Sequence, residues 1–291
     1  MIIVLTGPTG SGKSALAIEL AKKLNGAIIN ADAFQVYQEL SIATAKPTLT
    51  ERELAPHYLF DFLPLTEEYS AYAYQKDLRK TVAELESVYP YLIIAGGTGL
   101  YIRSALYDYE FTATEGMDMS RYDGYTNEEL HKELEKLDPE AAKAIHMNNR
   151  RRVLRAIEIY LSTGKRKSEM EQEQKHEPIR PCLFFGLNKE REDLYSLCDK
   201  RVEKMFEMGL LEENKALFEK YGYDLRAFQA IGVKETIPYF KGEITLEECQ
   251  KVIQTHTRQY VKRQMTFFNH QFKLDWIDDI DGILSKINAN P

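Results

Sequence analysis

The 291-residue chain is long enough for two domains, or for one core with a large insertion, and its 44% hydrophobic content supports a buried interior. The formal net charge of −7 counts against a uniformly basic nucleic-acid binder. No apolar run is long enough to span a bilayer, and three scattered cysteines exclude a disulfide framework, so we expect a soluble cytoplasmic protein without membrane contact.

Short apolar runs along the chain predict an α/β fold. Runs at 2–5, 27–30, 91–95 and 183–187 have the pattern of buried parallel strands, and the first is followed by a helical repeat that ends near 25–26. Strands that alternate with helical stretches imply a parallel sheet covered by helices on both faces. We therefore predict a P-loop NTPase-like sheet flanked by helices.

The long gap between the third and fourth strands predicts an insertion. Residues 107–180 are polar and helix-prone, whereas 190–220 and 246–272 are long helical stretches. We expect a catalytic core formed by 1–106 and 181–291, with a mostly helical insertion at 107–180.

A glycine-rich loop between the first strand and the first helix is the strongest chemical signal. It matches GxxxxGK[ST] in full, in the strand–loop–helix context that this motif requires. Its backbone N–H groups would cradle a di- or triphosphate, Lys13 would neutralise the terminal phosphates, and Ser14 would ligate Mg²⁺. The predicted anion-binding residues are Gly7, Pro8, Thr9, Gly10, Ser11, Gly12, Lys13 and Ser14.

Two polar residues follow the other strands, and each has two interpretations. Asp32 could accept a proton from an attacking group, or it could cap a turn. Thr98 could face a ligand at the carboxyl end of the sheet, or it could bond its own backbone. The strand at 91–95 ends in Gly-Gly-Thr-Gly without a Walker-B carboxylate, which counts against ordinary ATP hydrolysis.

Basic residues are concentrated in two segments. The segment 146–167 has seven Lys or Arg and a single acid, and the segment 251–273 has five and no acid. Such segregation can present a basic face to a polyanion, although two solvated helix faces explain the counts equally well.

Seven segments occur in a distinctive order: GPTGSGKS at 7–14, DAFQVY at 32–37, IATAKP at 42–47, GGTGLY at 96–101, RVLRAIE at 152–158, QAIGVKE at 229–235 and TRQYVKRQ at 257–264. The ordered set resembles the tRNA dimethylallyltransferases, also called tRNA isopentenylpyrophosphate transferases. The likeness covers most of the chain and is far more specific than the phosphate loop alone.

The resemblance implies transfer of a dimethylallyl group from dimethylallyl diphosphate to N6 of adenosine 37 in tRNA, with release of pyrophosphate and with Mg²⁺ as cofactor. It makes Asp32 the group that accepts the N6 proton or orients the amine, and it places Thr98 beside the reacting centre. Lys13 and Arg201 would stabilise the departing pyrophosphate electrostatically.

The resemblance also implies contact with a tRNA anticodon loop whose adenine leaves the stack. The flipped base would be read by Phe34 and Gln35 together with Asp32. The remaining implied tRNA contacts are Ala33, Thr98, Arg121, Arg151, Arg152, Arg155, Gln229, Gly232, Lys234, Arg258, Lys262 and Arg263. We expect a monomer.

The chain departs from the usual family pattern at five positions. Ala33 replaces a Ser, Ala43 a Gly, Leu197 an Arg, Val233 a Tyr and Phe267 a Trp.

Three other functions remain open from the residues. A P-loop small-molecule kinase would turn over ATP and carry an arginine-rich lid. An adenylate isopentenyltransferase would modify a free nucleotide and would have less need of the two basic segments. A non-catalytic P-loop module would bind tRNA or a partner without chemistry.

Overall fold

The computed structural model describes residues 1–111, 117–187 and 189–289. They belong to two compact units, one made of Met1–Leu106 with Arg180–Pro291 and the other of Tyr107–Ile179. The strands are β1 (Ile2–Thr6), β2 (Ala27–Asn30), β3 (His57–Tyr58), β4 (Leu92–Ala95), β5 (Cys182–Leu187) and β6 (Asp275–Ile277). The helices are α1 (Lys13–Leu24), α2 (Leu49–Glu53), α3 (Ala71–Leu85), α4 (Gly99–Leu106), α5 (Asn127–Leu137), α6 (Pro139–Ala144), α7 (Arg150–Thr163), α8 (Lys167–Glu173), α9 (Arg191–Glu207), α10 (Leu210–Tyr221), α11 (Ile237–Phe240), α12 (Leu246–Gln271) and α13 (Ile280–Asn288).

The first unit is built on a six-stranded parallel sheet with the order β3-β2-β4-β1-β5-β6. The predicted α/β fold is confirmed, and two short edge strands, β3 and β6, extend the predicted sheet. Because all strands run in one direction, the segments that follow β1, β2 and β4 emerge side by side at one edge. The phosphate loop, the Asp32 segment and the Gly-Gly-Thr-Gly turn therefore become neighbours.

Apolar burial explains why these segments form the sheet and its first helix. Every residue of β1 and β2 is buried, as expected for strands covered on both faces. Helix α1 buries Ala17, Ile18, Leu20 and Ala21 at helical spacing, and it ends at Asn25 in the left-handed conformation (φ 50°).

The second unit has a hydrophobic core of its own. Its regular elements within the described residues are α5 to α8 and a 3-10 turn at Ser120–Tyr122, so they are all helical. Leu130, Leu134, Val153 and Ile157 are fully buried in this core.

Helix α12 brings the carboxyl-terminal part of the chain to the first unit. It starts with a capping box between Thr245 and Glu248, and it buries Thr257, Val261 and Gln264 on one face. Arg258 binds both carboxylate oxygens of Asp199 on α9 at 2.7 Å, which ties these two helices together. No helix within the described ranges is long and apolar enough to cross a membrane.

Candidate active site

The phosphate loop links β1 to α1 in a form suited to an anion. Gly10 and Gly12 have φ values of 84° and 94°, which residues with a side chain rarely adopt. Gly12 forms the N-cap of α1 without any side-chain cap, so the first N–H groups of the helix stay available to a ligand. The local sequence therefore builds a positively polarised cradle at the edge of the sheet.

Two cations face this cradle. Lys13 donates a hydrogen bond to the carbonyl of Pro8 at 2.8 Å, and burial together with the nearby Arg201 lowers its pKa from 10.5 to about 8. Burial also lowers the pKa of Arg201, while the Asp32 carboxylate opposes the decrease in both cations. Two half-buried like charges that repel each other destabilise the ligand-free protein, so the arrangement favours a multiply charged anion near both.

Two hydroxyls of the loop differ in their environment. The Ser11 hydroxyl is buried and has no hydrogen-bond partner among the described residues, whereas Ser14, the second residue of α1, is exposed. No group of three or more His, Cys, Asp or Glu that could hold a metal ion occurs in the part of the chain that the structure describes. A metal ion here would need most of its ligands from a bound phosphate and from water, which is how Mg²⁺ is usually held.

Asp32 combines the two interpretations that its sequence position allows. Its Oδ1 accepts the backbone N–H groups of Phe34 (2.9 Å) and Gln35 (3.3 Å), as in a turn-capping aspartate. The segment is fixed from behind by the buried Asn30 amide, which accepts the Asp32 N–H at 2.8 Å and donates to the Asp32 carbonyl at 3.0 Å. Among the described residues nothing bonds to Oδ2, so one carboxylate oxygen remains for a substrate proton.

Thr98 joins the Gly-Gly-Thr-Gly turn to the Asp32 segment. Its hydroxyl oxygen accepts the N–H of Ala33 at 3.1 Å, and its own N–H donates to the Ala31 carbonyl at 3.0 Å. The hydroxyl thus bonds a neighbouring segment rather than its own turn, and it also hydrogen-bonds the Tyr260 side chain.

Two residues of α12 that the sequence did not single out complete the crevice. Gln264 bonds both the phosphate loop and the Gly97 carbonyl. Burial, and to a smaller extent the Asp32 carboxylate, raises the pKa of Tyr260 to about 12, and hydrogen bonds to Thr98 and Gln264 oppose that rise. Tyr260 and Gln264 are four positions apart, a spacing that puts them on one helix face, although apolar periodicity does not reveal polar residues of this kind.

The four residues predicted to be catalytic lie in this one crevice. Lys13 and Arg201 provide positive charge, and Asp32 and Thr98 lie close enough to interact with the same groups. Such a site can hold an anionic leaving group on one side and take a proton from an attacking group on the other.

The family model described as IPP transferase matches residues 35–271, which is most of the chain. The chain belongs to the IPP transferase family. It is 41% identical to the tRNA dimethylallyltransferase of Anoxybacillus flavithermus, covering 99% of this chain and 94% of that protein. A crystal structure of tRNA delta(2)-isopentenylpyrophosphate transferase from Staphylococcus epidermidis is similar over 100% of this chain and 99% of that one, with a TM-score of 0.75 and 40% identity. A eukaryotic dimethylallyltransferase captured acting on tRNA is 32% identical, with a TM-score of 0.83, over 96% of this chain and 74% of that one.

Gln35, one of the residues assigned to the flipped base, already has internal partners. The Gln35 amide donates to the carbonyls of Thr44 (3.0 Å) and Ala45 (3.2 Å), which holds the turn at 41–46. The Glu213 carboxylate accepts N–H groups from the same turn. Ala33 and Phe34 remain half-buried beside Asp32.

The predicted tRNA contacts in the turn at 229–235 differ in their exposure to solvent. Gln229 is exposed and Lys234 half-buried, whereas Gly232 is buried with φ 94° and donates its N–H to the buried Glu235 carboxylate at 2.8 Å. His256 bonds the other oxygen of Glu235 at 2.7 Å. Gly232 therefore shapes the turn from inside.

The basic residues divide into exposed and paired groups. Exposed members are Arg121, Arg151, Arg152, Lys262 and Arg263. Arg155 forms an ion pair with Glu158 at 2.8 Å, and Arg258 is held by Asp199. Arg150, on the same helix as Arg155, donates to the Tyr122 carbonyl and thereby links α7 to the 3-10 turn of its own unit. Only part of each basic segment is therefore available to a polyanion.

The five family departures fall into different environments. Val233 is fully buried and Ala43 is buried, so both belong to the interior. A Cβ on Gly99 would lie 2.4 Å from the Phe267 ring, so that ring packs directly on the Gly-Gly-Thr-Gly turn. Leu197 is exposed and Ala33 half-buried, and nothing in the structure explains either replacement.

Proposed function

We propose that this protein transfers a dimethylallyl group from dimethylallyl diphosphate to N6 of adenosine 37 in tRNA and releases pyrophosphate. The observation that carries the proposal is the pair of half-buried cations, Lys13 and Arg201, which interact electrostatically with the Asp32 carboxylate in an IPP transferase family member. The names of the relatives that match over the full chain support the same activity.

In the proposed reaction, the N6–C1 bond forms while the bond between C1 and the diphosphate oxygen breaks. The phosphate loop and Lys13 bind the diphosphate, and Arg201 stabilises the charge that develops on it. The free Oδ2 of Asp32 accepts the N6 proton, and the Thr98 hydroxyl, held by Ala33, orients the amine. No carboxylate follows β4, which agrees with a reaction that activates no water.

The donor set of the loop fits Mg²⁺ held mainly by the substrate. The exposed Ser14 hydroxyl would be the protein ligand, with diphosphate oxygens and water completing the shell. When bound, the ion supplies additional charge stabilisation for the leaving group.

The tRNA is proposed to be held by exposed cations of the basic segments. Arg151, Arg152, Lys262 and Arg263 would contact the phosphate backbone, and Arg121 and Gln229 would add further contacts. The adenine would leave the anticodon-loop stack to reach Asp32, which costs a few kcal/mol and is easiest in a single-stranded loop.

The test is incubation of the purified protein with dimethylallyl diphosphate and Mg²⁺, with either unmodified tRNA or AMP as acceptor, followed by mass spectrometry of the nucleosides. We expect dimethylallyl adenosine from tRNA only. A modified AMP would identify an adenylate isopentenyltransferase instead. ATP consumption with a small acceptor, and no prenylated product, would identify a kinase.

A further inference from the structure

Gln264 lies in the crevice but has no role in the proposed reaction as described above. Its side chain is buried, and each end of its amide bonds a different loop of the crevice. Oε1 accepts the N–H of Thr9 in the phosphate loop at 2.9 Å, and Nε2 donates to the carbonyl of Gly97 at 3.0 Å. One side chain from α12 therefore spans the leaving-group side and the acceptor side of the site.

The contact continues the sheet beyond the ends of its strands. The β1–β4 pairing ends at Leu5 and Ala95, and the Thr6 hydroxyl then bonds the Gly96 carbonyl at 3.0 Å. Beyond this bond, Gln264 supplies a further connection between the two loops. Because a buried amide with both ends satisfied is rigidly oriented, it fixes the separation of the two loops.

Two neighbouring features show that the chain is built around this amide. A Cβ on Gly97 would lie 2.3 Å from Nε2 of Gln264, so the amide fills the space that a side chain at Gly97 would occupy. Cys198 on α9 bonds the Thr9 carbonyl at 3.4 Å. The backbone of Thr9 is thus held on one side by α12 and on the other by α9, the helix that carries Arg201.

We infer that Gln264 is a positioning residue that sets the distance between the bound diphosphate and the Asp32–Thr98 side of the crevice. This role rests on the proposed function, because it concerns the approach of the amine to the allylic carbon. Each substrate contacts its own loop, so loss of the connection should leave both substrates bound but poorly aligned.

The test compares Gln264→Met, which keeps the length of the side chain but removes its hydrogen bonds to Thr9, Gly97 and Tyr260, with Gln259→Met at an exposed position of the same helix. We expect the single-turnover transfer rate of Gln264→Met to fall about 10- to 100-fold, the scale of an ångström misplacement, while its affinity for Mg²⁺-pyrophosphate changes less than about threefold. Gln259→Met should match the wild type in both measurements.

A second variant reaches the same contact from the other side. In Gly97→Ala the new methyl group displaces the flexible end of Gln264, so the rate should fall similarly, and the double variant Gln264→Met/Gly97→Ala should be no slower than the worse single variant. Losses of transfer rate that add up in the double variant would overturn the positioning role of Gln264. An unchanged rate in Gln264→Met, or a rate loss matched by an equal loss of pyrophosphate affinity, would also overturn it. A wild type without transfer would overturn the proposed function itself, and this role with it.

Discussion

Removing the charge of Lys13 should stabilise the ligand-free protein although it abolishes function. The protonated amine is partly removed from water and repelled by Arg201, and the resulting decrease in its pKa means that the folded protein binds this proton less tightly than the unfolded chain does. Lys13→Met keeps most of the side-chain volume and removes the charge. Active sites that hold such charges gain binding at the expense of stability.

The size of the effect follows from the pKa. A decrease from 10.5 to about 8 costs the folded protein ~3 kcal/mol at neutral pH, at about 1.36 kcal/mol per pH unit. In Lys13→Met, loss of the hydrogen bond to the Pro8 carbonyl offsets about 1 kcal/mol of this amount. The net gain in unfolding free energy is therefore ~2 kcal/mol. As the pH rises past the folded pKa, Lys13 becomes neutral in the folded state, and at about pH 9.5 the cost shrinks to ~1 kcal/mol. The advantage of the variant should therefore nearly vanish.

Urea unfolding followed by the fluorescence of Trp276, the single tryptophan, measures these free energies at both pH values. Lys23→Met is the matched control, because Lys23 lies exposed on the same helix, and its effect should stay within about 0.5 kcal/mol. A Lys13→Met variant that is less stable than the wild type at neutral pH would refute the reasoning, as would a stabilisation that is independent of pH.

Three further predictions concern binding and transfer. Asp32→Ala should lower the single-turnover rate by about 10²- to 10⁴-fold while calorimetry shows intact Mg²⁺-pyrophosphate binding, and loss of that binding would reduce Asp32 to a structural residue. Replacing Arg151 and Arg152 by Ala should weaken tRNA binding and lower the slope of log K against log salt by roughly one per lost phosphate contact, so an unchanged slope would assign both to a solvated face. Affinity for dimethylallyl diphosphate should decrease as the pH rises through about 8, where free Lys13 loses its proton, and Lys13→Arg, which does not titrate, should flatten this dependence relative to the wild type. A wild-type affinity that stays constant over that range would contradict the assignment.

The sequence predicts those parts of the fold that local chemistry determines. The glycines and Lys13 of the phosphate loop require a strand before and a helix after, and the four apolar runs are continuous enough to be recognised as strands. Strand β3 has two residues, and β6 exposes Trp276, so neither has a strand-like pattern of its own. The helical stretch at 190–220 is interrupted at Gly209 (φ 96°), which periodicity alone does not reveal.

Contacts between distant segments limit how much of the site can be predicted from the sequence. Asp32 and Thr98 are predicted from their places after parallel strands, because topology alone brings such positions together. Gln264 bonds a residue 255 positions away, and no local pattern distinguishes it from an exposed glutamine on the same helix. Counts of basic residues fail to predict which cations are available to a polyanion for the same reason, since Arg258 is held by Asp199 on another helix.

The most direct test of the account is position-specific analysis of a single tRNA substrate. An unmodified transcript with adenosine at position 37, and a matched transcript with guanosine there, are incubated with the protein, dimethylallyl diphosphate and Mg²⁺, and then digested for mass spectrometry. The account predicts one dimethylallyl group, located on adenosine 37, and no product from the second transcript. An unmodified first transcript, or equal modification of both, would contradict it.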